Sequence, residues 1–298
     1  MDAGTATPER RALTKAEAAA AAAPLPTDKL RCERRGGAGG GKGSAWQWPF
    51  GEAAARRRRP PRQVVLLACG SFNPPTAAHL RMMEAARDAV EGGPDAAVVV
   101  GAYLSPVNDG YRKEALAPAA HRVAMCRAAA ADSPLLMVDA WEAEQPAYVR
   151  TLAVLRRVRE ALRLRNAGDD VRVVLVCGAD LLSSFGRPGV WIPEHLHEIL
   201  GEDHGVVCVT RGDEGVANAA ARSLRERGLG TKPGALLVVN DWARSDVSST
   251  EVRAALGNGR SARYAVPAAV LEYVCDRGLY DVDQQACALK YRRLTESV

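Results

Sequence analysis

From residue 63 to residue 280, short uniformly apolar runs alternate with longer stretches in which apolar positions recur every three or four residues. The runs lie at 64–69, 97–102, 135–139, 171–177, 205–209 and 235–239, and their spacing predicts strands. The stretches at 77–90, 118–131, 148–164, 193–200, 213–227, 249–256 and 267–275 predict helices. Strands that are apolar throughout are buried on both faces, and a helix between successive strands supplies the cover for a parallel sheet. The pattern therefore predicts an α/β fold, a Rossmann-like doubly wound parallel sheet in a single domain. In such sheets ligands bind outside the carboxyl ends of the strands.

Residues 1–62 break this pattern. They hold an alanine tract at 18–23, a glycine tract at 36–43 and an arginine run at 56–59, a composition that buries too little apolar surface to offset ordering entropy. The expected organisation is a disordered basic leader (1–62), a domain (63–280) and a C-terminal tail (281–298). Trp46, Trp48 and Phe50 offer a docking motif, or belong to a leader without function. The arginine run is read as a nuclear-localisation signal, an anion patch or a solvated linker. The charge of +5 on 298 residues is local: residues 1–62 carry +7, which leaves −2 for the rest. No nucleic-acid surface on the domain is indicated, and no run is long and apolar enough to predict a membrane span. The seven cysteines show no zinc spacing and are read as buried thiols.

The turn "ACGSFNPPTAAH" (68–79) follows the first strand. Glycine lets a backbone approach a phosphate, and the free N–H groups of the next helix favour an anion. Thr76 is placed to cap that helix, and His79 falls in its first turn. Alone, this is a strand-to-helix turn that fits neither GxGxxG nor GxxxxGKS. After the last strand, "DVSSTEVRAAL" (246–256) brings Ser248, Ser249 and Thr250 to another helix start, with Arg253 on the same face. Alone, that is a serine cap with a surface arginine. Two anion-ready helix starts at strand ends of one sheet are better explained by one polyphosphate ligand.

Together with "SPVNDGYRKEALAPAAHRVAMC", "VCGADLLSSF" and "VVNDW", these motifs resemble the eukaryotic nicotinamide-mononucleotide adenylyltransferases of the nucleotidylyltransferase superfamily, in order and over roughly residues 63–280. The superfamily's H-x-G-H signature corresponds to Thr76, Ala77, Ala78 and His79, with threonine first as in the eukaryotic branch. The resemblance implies that Gly70, Ser71 and Phe72 contact the nucleotides through their backbone. It places His79, Gly178, Asp180, Ser248, Ser249, Thr250 and Arg253 at ATP, and Tyr111, Lys113, Thr151, Val190, Trp191, Arg211 and Asp241 around the mononucleotide. Tyr148 stands where many animal members have tryptophan, which keeps ring stacking but leaves the preference between amidated and deamidated mononucleotide open.

The implied reaction joins ATP to nicotinamide or nicotinate mononucleotide, giving NAD or deamido-NAD and pyrophosphate. The attacking 5′-phosphate is ionised at pH 7, so no general base is needed. Catalysis becomes positioning plus charge stabilisation by His79, Lys113, Arg253 and a Mg²⁺ carried by ATP, with no metal ligands expected from the protein. Two alternatives stand beside this reading. One is a nucleotidylyltransferase for pantetheine phosphate or choline phosphate, whose substrates offer no aromatic ring to Tyr148 and Trp191; the other is a non-catalytic, chaperone-like nucleotide-binding protein. The expected compartment is nucleus or cytoplasm, because the leader's acidic residues disfavour a transit peptide. Self-association is left open.

Overall fold

The six apolar runs form strands β1 (Gln63–Gly70), β2 (Val98–Pro106), β3 (Leu136–Val138), β4 (Arg172–Cys177), β5 (Val206–Thr210) and β6 (Leu236–Asn240). All pair in parallel in one sheet of order β3-β2-β1-β4-β5-β6. The order reverses between β1 and β4, so the crevice beyond their carboxyl ends is the switch point at which such sheets bind ligands. The computed structural model describes residues 24–30, 62–93, 97–111, 113–165, 171–243 and 245–291. The alanine and glycine tracts, Trp46, Trp48, Phe50 and the arginines at 56–59 lie outside them.

The helices among these residues are α1 (Ala77–Gly92), α2 (Ala119–Ala130), α3 (Thr151–Leu164), α4 (Ala179–Ser184), α5 (Pro193–Ile199), α6 (Glu214–Glu226), α7 (Ser249–Gly257), α8 (Ala268–Arg277) and α9 (Gln284–Tyr291). Successive β1 side chains enter opposite layers, as the pleat requires. Val65 and Leu67 pack with Leu155, Leu196 and Leu224 of α3, α5 and α6. Val64 and Leu66 pack with Met83 of α1 and Val123 of α2. A third cluster joins Met125 of α2 to Val252, Leu271 and Tyr291 of the C-terminal helices. No helix among the described residues is long and apolar enough to cross a membrane.

Two element boundaries differ from the sequence pattern in ways that shape the site. β2 runs on to Pro106 because Tyr103 to Pro106 pair with Leu67 to Gly70 of β1. α3 starts at Thr151 rather than at 148, so Tyr148 sits in the preceding loop.

Both expected domain limits move as well. Residues 24–30, assigned to the disordered leader, lie on the domain: Leu25 is 2% exposed within the core. Lys29 Nζ donates to Ala130 O at 2.8 Å and Leu136 O at 3.0 Å, and Arg165 Nη1 to Leu25 O at 2.6 Å. A Cβ at Gly101 would come within 2.6 Å of Leu30, so glycine there makes room for the segment. A single Leu-x-x-x-x-Leu spacing in a polar context carries no periodic signal, which is why the pattern missed it. Burying Leu25 contributes about 2 kcal/mol, so removing residues 1–30 is expected to lower Tm by roughly 4–8 °C relative to removing 1–23. Equal melting curves would show that the docked segment adds nothing.

At the other end, α9 lies in the expected tail but buries Cys287 and Tyr291. It places Cys287 5.3 Å from Cys275 (Cα–Cα), and the two form a disulfide, against the expectation of thiols throughout. Cys69, Cys126, Cys177 and Cys208 are free. The pairing was hidden because Cys287 gains its neighbour only when α9 folds back on α8.

Candidate active site

A cavity of about 450 Å³ opens at the switch point, in the size range of small-molecule sites. The segments after four strands line it. At the end of β1 come Gly70 and Ser71; after β2, Tyr111 and Lys113; after β3, Tyr148 and Thr151; after β4, Asp180, Val190 and Trp191. Nine of the sequence-derived site residues thus meet in one space, although up to 121 positions separate them.

The aromatic residues are held differently. Trp191 donates its indole N–H to Ser184 Oγ at 2.9 Å and packs its edge on Phe185, 4.7 Å between centroids. Tyr148 is half exposed and stacks on Tyr111 at 6.0 Å and 27°. One ring is fixed by its neighbours and the other presents a free face, an arrangement that admits a flat ligand ring.

The phosphate-seeking residues gather beside the β1 turn. Phe72 is 2% exposed and takes φ 44°, an uncommon conformation for a bulky residue. Its ring folds back under Gly70, where a Cβ would stand 3.2 Å from it, and meets His79 edge-on at 5.3 Å. Thr76 donates its backbone N–H to His79 Nδ1 at 3.0 Å. That bond leaves the proton on Nε2 of the neutral imidazole. Burial, then the charges of Arg211 and Lys113, lower the His79 pKa to about 4. A neutral donor beside two cations is an environment that favours an incoming polyanion.

α7 is drawn onto this turn. Arg253 Nη1 donates to Asn73 O, and Ser249 Oγ to Pro74 O, each at 2.8 Å. These bonds bring the two anion-ready helix starts together, as the two motifs require. Gly178 precedes α4, and a Cβ there would meet nothing within 4 Å.

Four of the expected site residues are engaged by other groups of the chain. Asp241 does not line the cavity; it is buried and held by Arg81, Nε and Nη2 contacting its carboxylate at 2.8 to 3.1 Å. The family resemblance implied a place beside the mononucleotide, but α1 presents a guanidinium to this carboxylate. Arg211 also lies outside the cavity lining; its charge acts on His79 and its Nη1 reaches Val247 O at 3.1 Å. Ser248 is closed in a capping box with Glu251: its Oγ accepts from Glu251 N at 3.1 Å and lies 2.8 Å from Glu251 Oε2. Ser249, on Pro74, is also engaged. A hydroxyl at a helix start serves its own helix first when glutamate sits three residues on. Thr250 keeps only a 3.5 Å contact with Arg253 Nη2.

Three residues carry weight that the sequence pattern did not reveal. Asn73 is buried, donates to Ala115 O at 2.7 Å, and accepts from Ala117 N at 3.1 Å and Tyr280 Oη at 2.9 Å. Arg122, fully buried on α2, reaches Ser71 O, Val107 O, Ala117 O and Asp109 Oδ1. Glu142 is a buried acid lining the cavity. Its one sequence signal is an acid just beyond an apolar strand; Arg122 sits among the apolar positions of its helix, which is the signal for it.

Among the described residues no group of three or more His, Cys, Asp or Glu side chains could hold a metal ion.

Comparison with known proteins agrees with this geometry. The cytidylyltransferase-like family model matches residues 67–255. A protein of Arabidopsis thaliana named nicotinamide/nicotinic acid mononucleotide adenylyltransferase is 41% identical over 221 residues, covering 73% of this chain and 90% of that protein. The protein of the same name from Oryza sativa subsp. japonica is 38% identical over 259 residues, 86% of this chain and 94% of that one. The Bos taurus protein, numbered 1 under that name, is 36% identical over 260 residues, with 75% and 90% covered. Among solved structures, Plasmodium falciparum nicotinic acid mononucleotide adenylyltransferase complexed with APC has a TM-score of 0.51 at 15% identity. It covers 74% of this chain and 98% of that one, a likeness of fold.

Proposed function

The chain belongs to the cytidylyltransferase-like family and, within it, to the nicotinamide/nicotinic acid mononucleotide adenylyltransferases, and from that membership we propose how its cavity works. The reaction is adenylyl transfer in NAD synthesis. A 5′-phosphate oxygen of the mononucleotide attacks the α-phosphorus of ATP, the bond to the β-phosphate oxygen breaks, and pyrophosphate leaves. The pyridine ring lies between Tyr148 and Trp191, and the triphosphate lies against His79, Arg211 and Arg253. Lys113 both lines the cavity and acts on His79, so it spans the two substrates where the new bond forms. The observation that carries this reading is one cavity lined by Tyr148, Trp191 and Lys113, with Lys113 and Arg211 both acting on His79 beside the β1 turn.

His79 Nε2–H donates to a phosphate oxygen as charge builds in the transition state, and Thr76 holds the ring in that tautomer. Lys113 and Arg211 supply positive charge, and Arg253 holds Asn73 while facing the polyphosphate. Asp180 accepts from ribose hydroxyls. Positioning and electrostatics are all that phosphoryl-type transfer demands of a protein. The Mg²⁺ is part of the nucleotide substrate and arrives with ATP.

The test is pyrophosphate release by the purified chain with ATP and each mononucleotide, with choline phosphate and phosphopantetheine as controls. Turnover with a control and not with either mononucleotide would overturn the reading. Trp191→Ala is expected to raise KM for the mononucleotide about 2- to 12-fold, the worth of one aromatic contact. Tyr148→Ala should raise it less, because Tyr111 lies behind it to take over the face. Equal rises in KM for ATP would mean that these rings support the fold instead of holding the ligand. We place the enzyme in nucleus or cytoplasm, on the expectation from its leader.

A further inference from the structure

Glu142 belongs to no motif above, yet it is 2% exposed and lines the cavity six residues before Tyr148. Asp180 is the other acid lining it, and that residue is solvent-exposed. The carboxylate is oriented from beneath: Ser105 Oγ, near the end of β2, donates to Glu142 Oε2 at 2.6 Å, and the Cys69 thiol of β1 also hydrogen-bonds it. Of the charges facing it, Asp139 is paired with Arg157 and Arg122 with Asp109.

The two mononucleotides differ only at the pyridine 3-position. One carries a neutral carboxamide with N–H donors, the other a carboxylate that only accepts. A buried acid with its own donor already in place accepts well from the first and repels the second.

We propose that Glu142 meets the ring's 3-substituent and is the specificity-determining residue that makes this site favour the carboxamide over the carboxylate. The proposal rests on the reading of the cavity as the mononucleotide site. Two carboxylates cannot both stay ionised in one buried space at low cost, so the deamidated substrate binds with Glu142 protonated. Burial raises the Glu142 pKa to about 7, against the lowering effect of the Ser105 bond. The acid is therefore neutral below pH 7 and ionised above it. Preference for the amide, read as the ratio of kcat/KM for the two mononucleotides, should rise between pH 6 and pH 8. Ionisations of ATP and of the 5′-phosphate are common to both reactions and cancel in the ratio.

Glu142→Gln keeps an acceptor for Ser105 and removes the charge. It is expected to shift the ratio toward the deamidated substrate by about tenfold at pH 8, the worth of one charge-assisted hydrogen bond, and to flatten its pH dependence. Ser105→Ala deprives the ionised acid of its donor and should move the midpoint of the ratio to higher pH. Cys69, Tyr111, Tyr148, Lys113, Arg150, Arg187, Asp180 and His195 share the space and are unchanged in both variants. A pH dependence that survives Glu142→Gln therefore belongs to one of them and overturns the proposal. So does a ratio equal to wild type in a Glu142→Gln protein with a wild-type melting curve. Absence of dinucleotide from either mononucleotide with the wild-type chain would instead sink the reading of the cavity, and the proposal with it.

Discussion

His79→Ala is expected to lower kcat about 10²- to 10³-fold, the usual cost of removing one preorganised donor from a developing phosphoryl charge. The size follows from how the ring is held. Thr76 N–H bonds Nδ1 at 3.0 Å, so Nε2 carries its proton outward without reorganisation. The folding cost of losing that bond is small by comparison, about 1 kcal/mol for a helix-start contact, or roughly 2–4 °C in Tm. A variant with wild-type turnover would remove His79 from the reaction. Its pKa of about 4 adds a second expectation. The imidazole of the free enzyme is already neutral from pH 5.5 to 8, so pH profiles of kcat/KM for wild type and His79→Ala should have the same shape across that window at different heights. A limb near pH 6.5 that vanishes in the variant would show a charged imidazole at work.

Arg122→Ala is expected to be the most damaging change to stability near the site. The side chain is fully buried and donates to Ala117 O and Val107 O at 2.7 Å, Asp109 Oδ1 at 2.8 Å and Ser71 O at 3.2 Å. Three carbonyls would lose a charged donor at once. Asp109 is exposed enough for water to replace its share. An acceptor left unsatisfied in the interior costs about 1–3 kcal/mol, so three of them put the loss at about 3 kcal/mol or more, roughly 6–12 °C or more in Tm. The same guanidinium fastens the Ser71 turn to the segment carrying Tyr111 and Lys113, so KM for the mononucleotide should rise in any soluble variant. Arg122→Lys keeps the charge but not the planar fork, and it should recover part of Tm with less of KM. Unchanged Tm and KM in Arg122→Ala would show that neighbouring groups satisfy those carbonyls without it.

The six strands, their parallel sense and the site at their carboxyl ends were legible in the sequence because backbone pairing forces uniformly apolar runs into a doubly covered sheet. Turn chemistry likewise singled out Gly70, Ser71 and His79, which end or follow a strand or open a helix, and the family resemblance added Lys113 and Trp191. Tertiary structure alone decided what those side chains, and others, face. Asp241 turned out to be neutralised by Arg81, 160 positions away, and Ser248 to be spent on Glu251. Leu25 found a core, Cys287 found Cys275, and Glu142 came to line the cavity. The strand pattern is written in neighbouring residues, whose periodicity survives in one dimension. The state of a carboxylate, a hydroxyl or a thiol is set by partners brought from distant segments, and no local spacing records them.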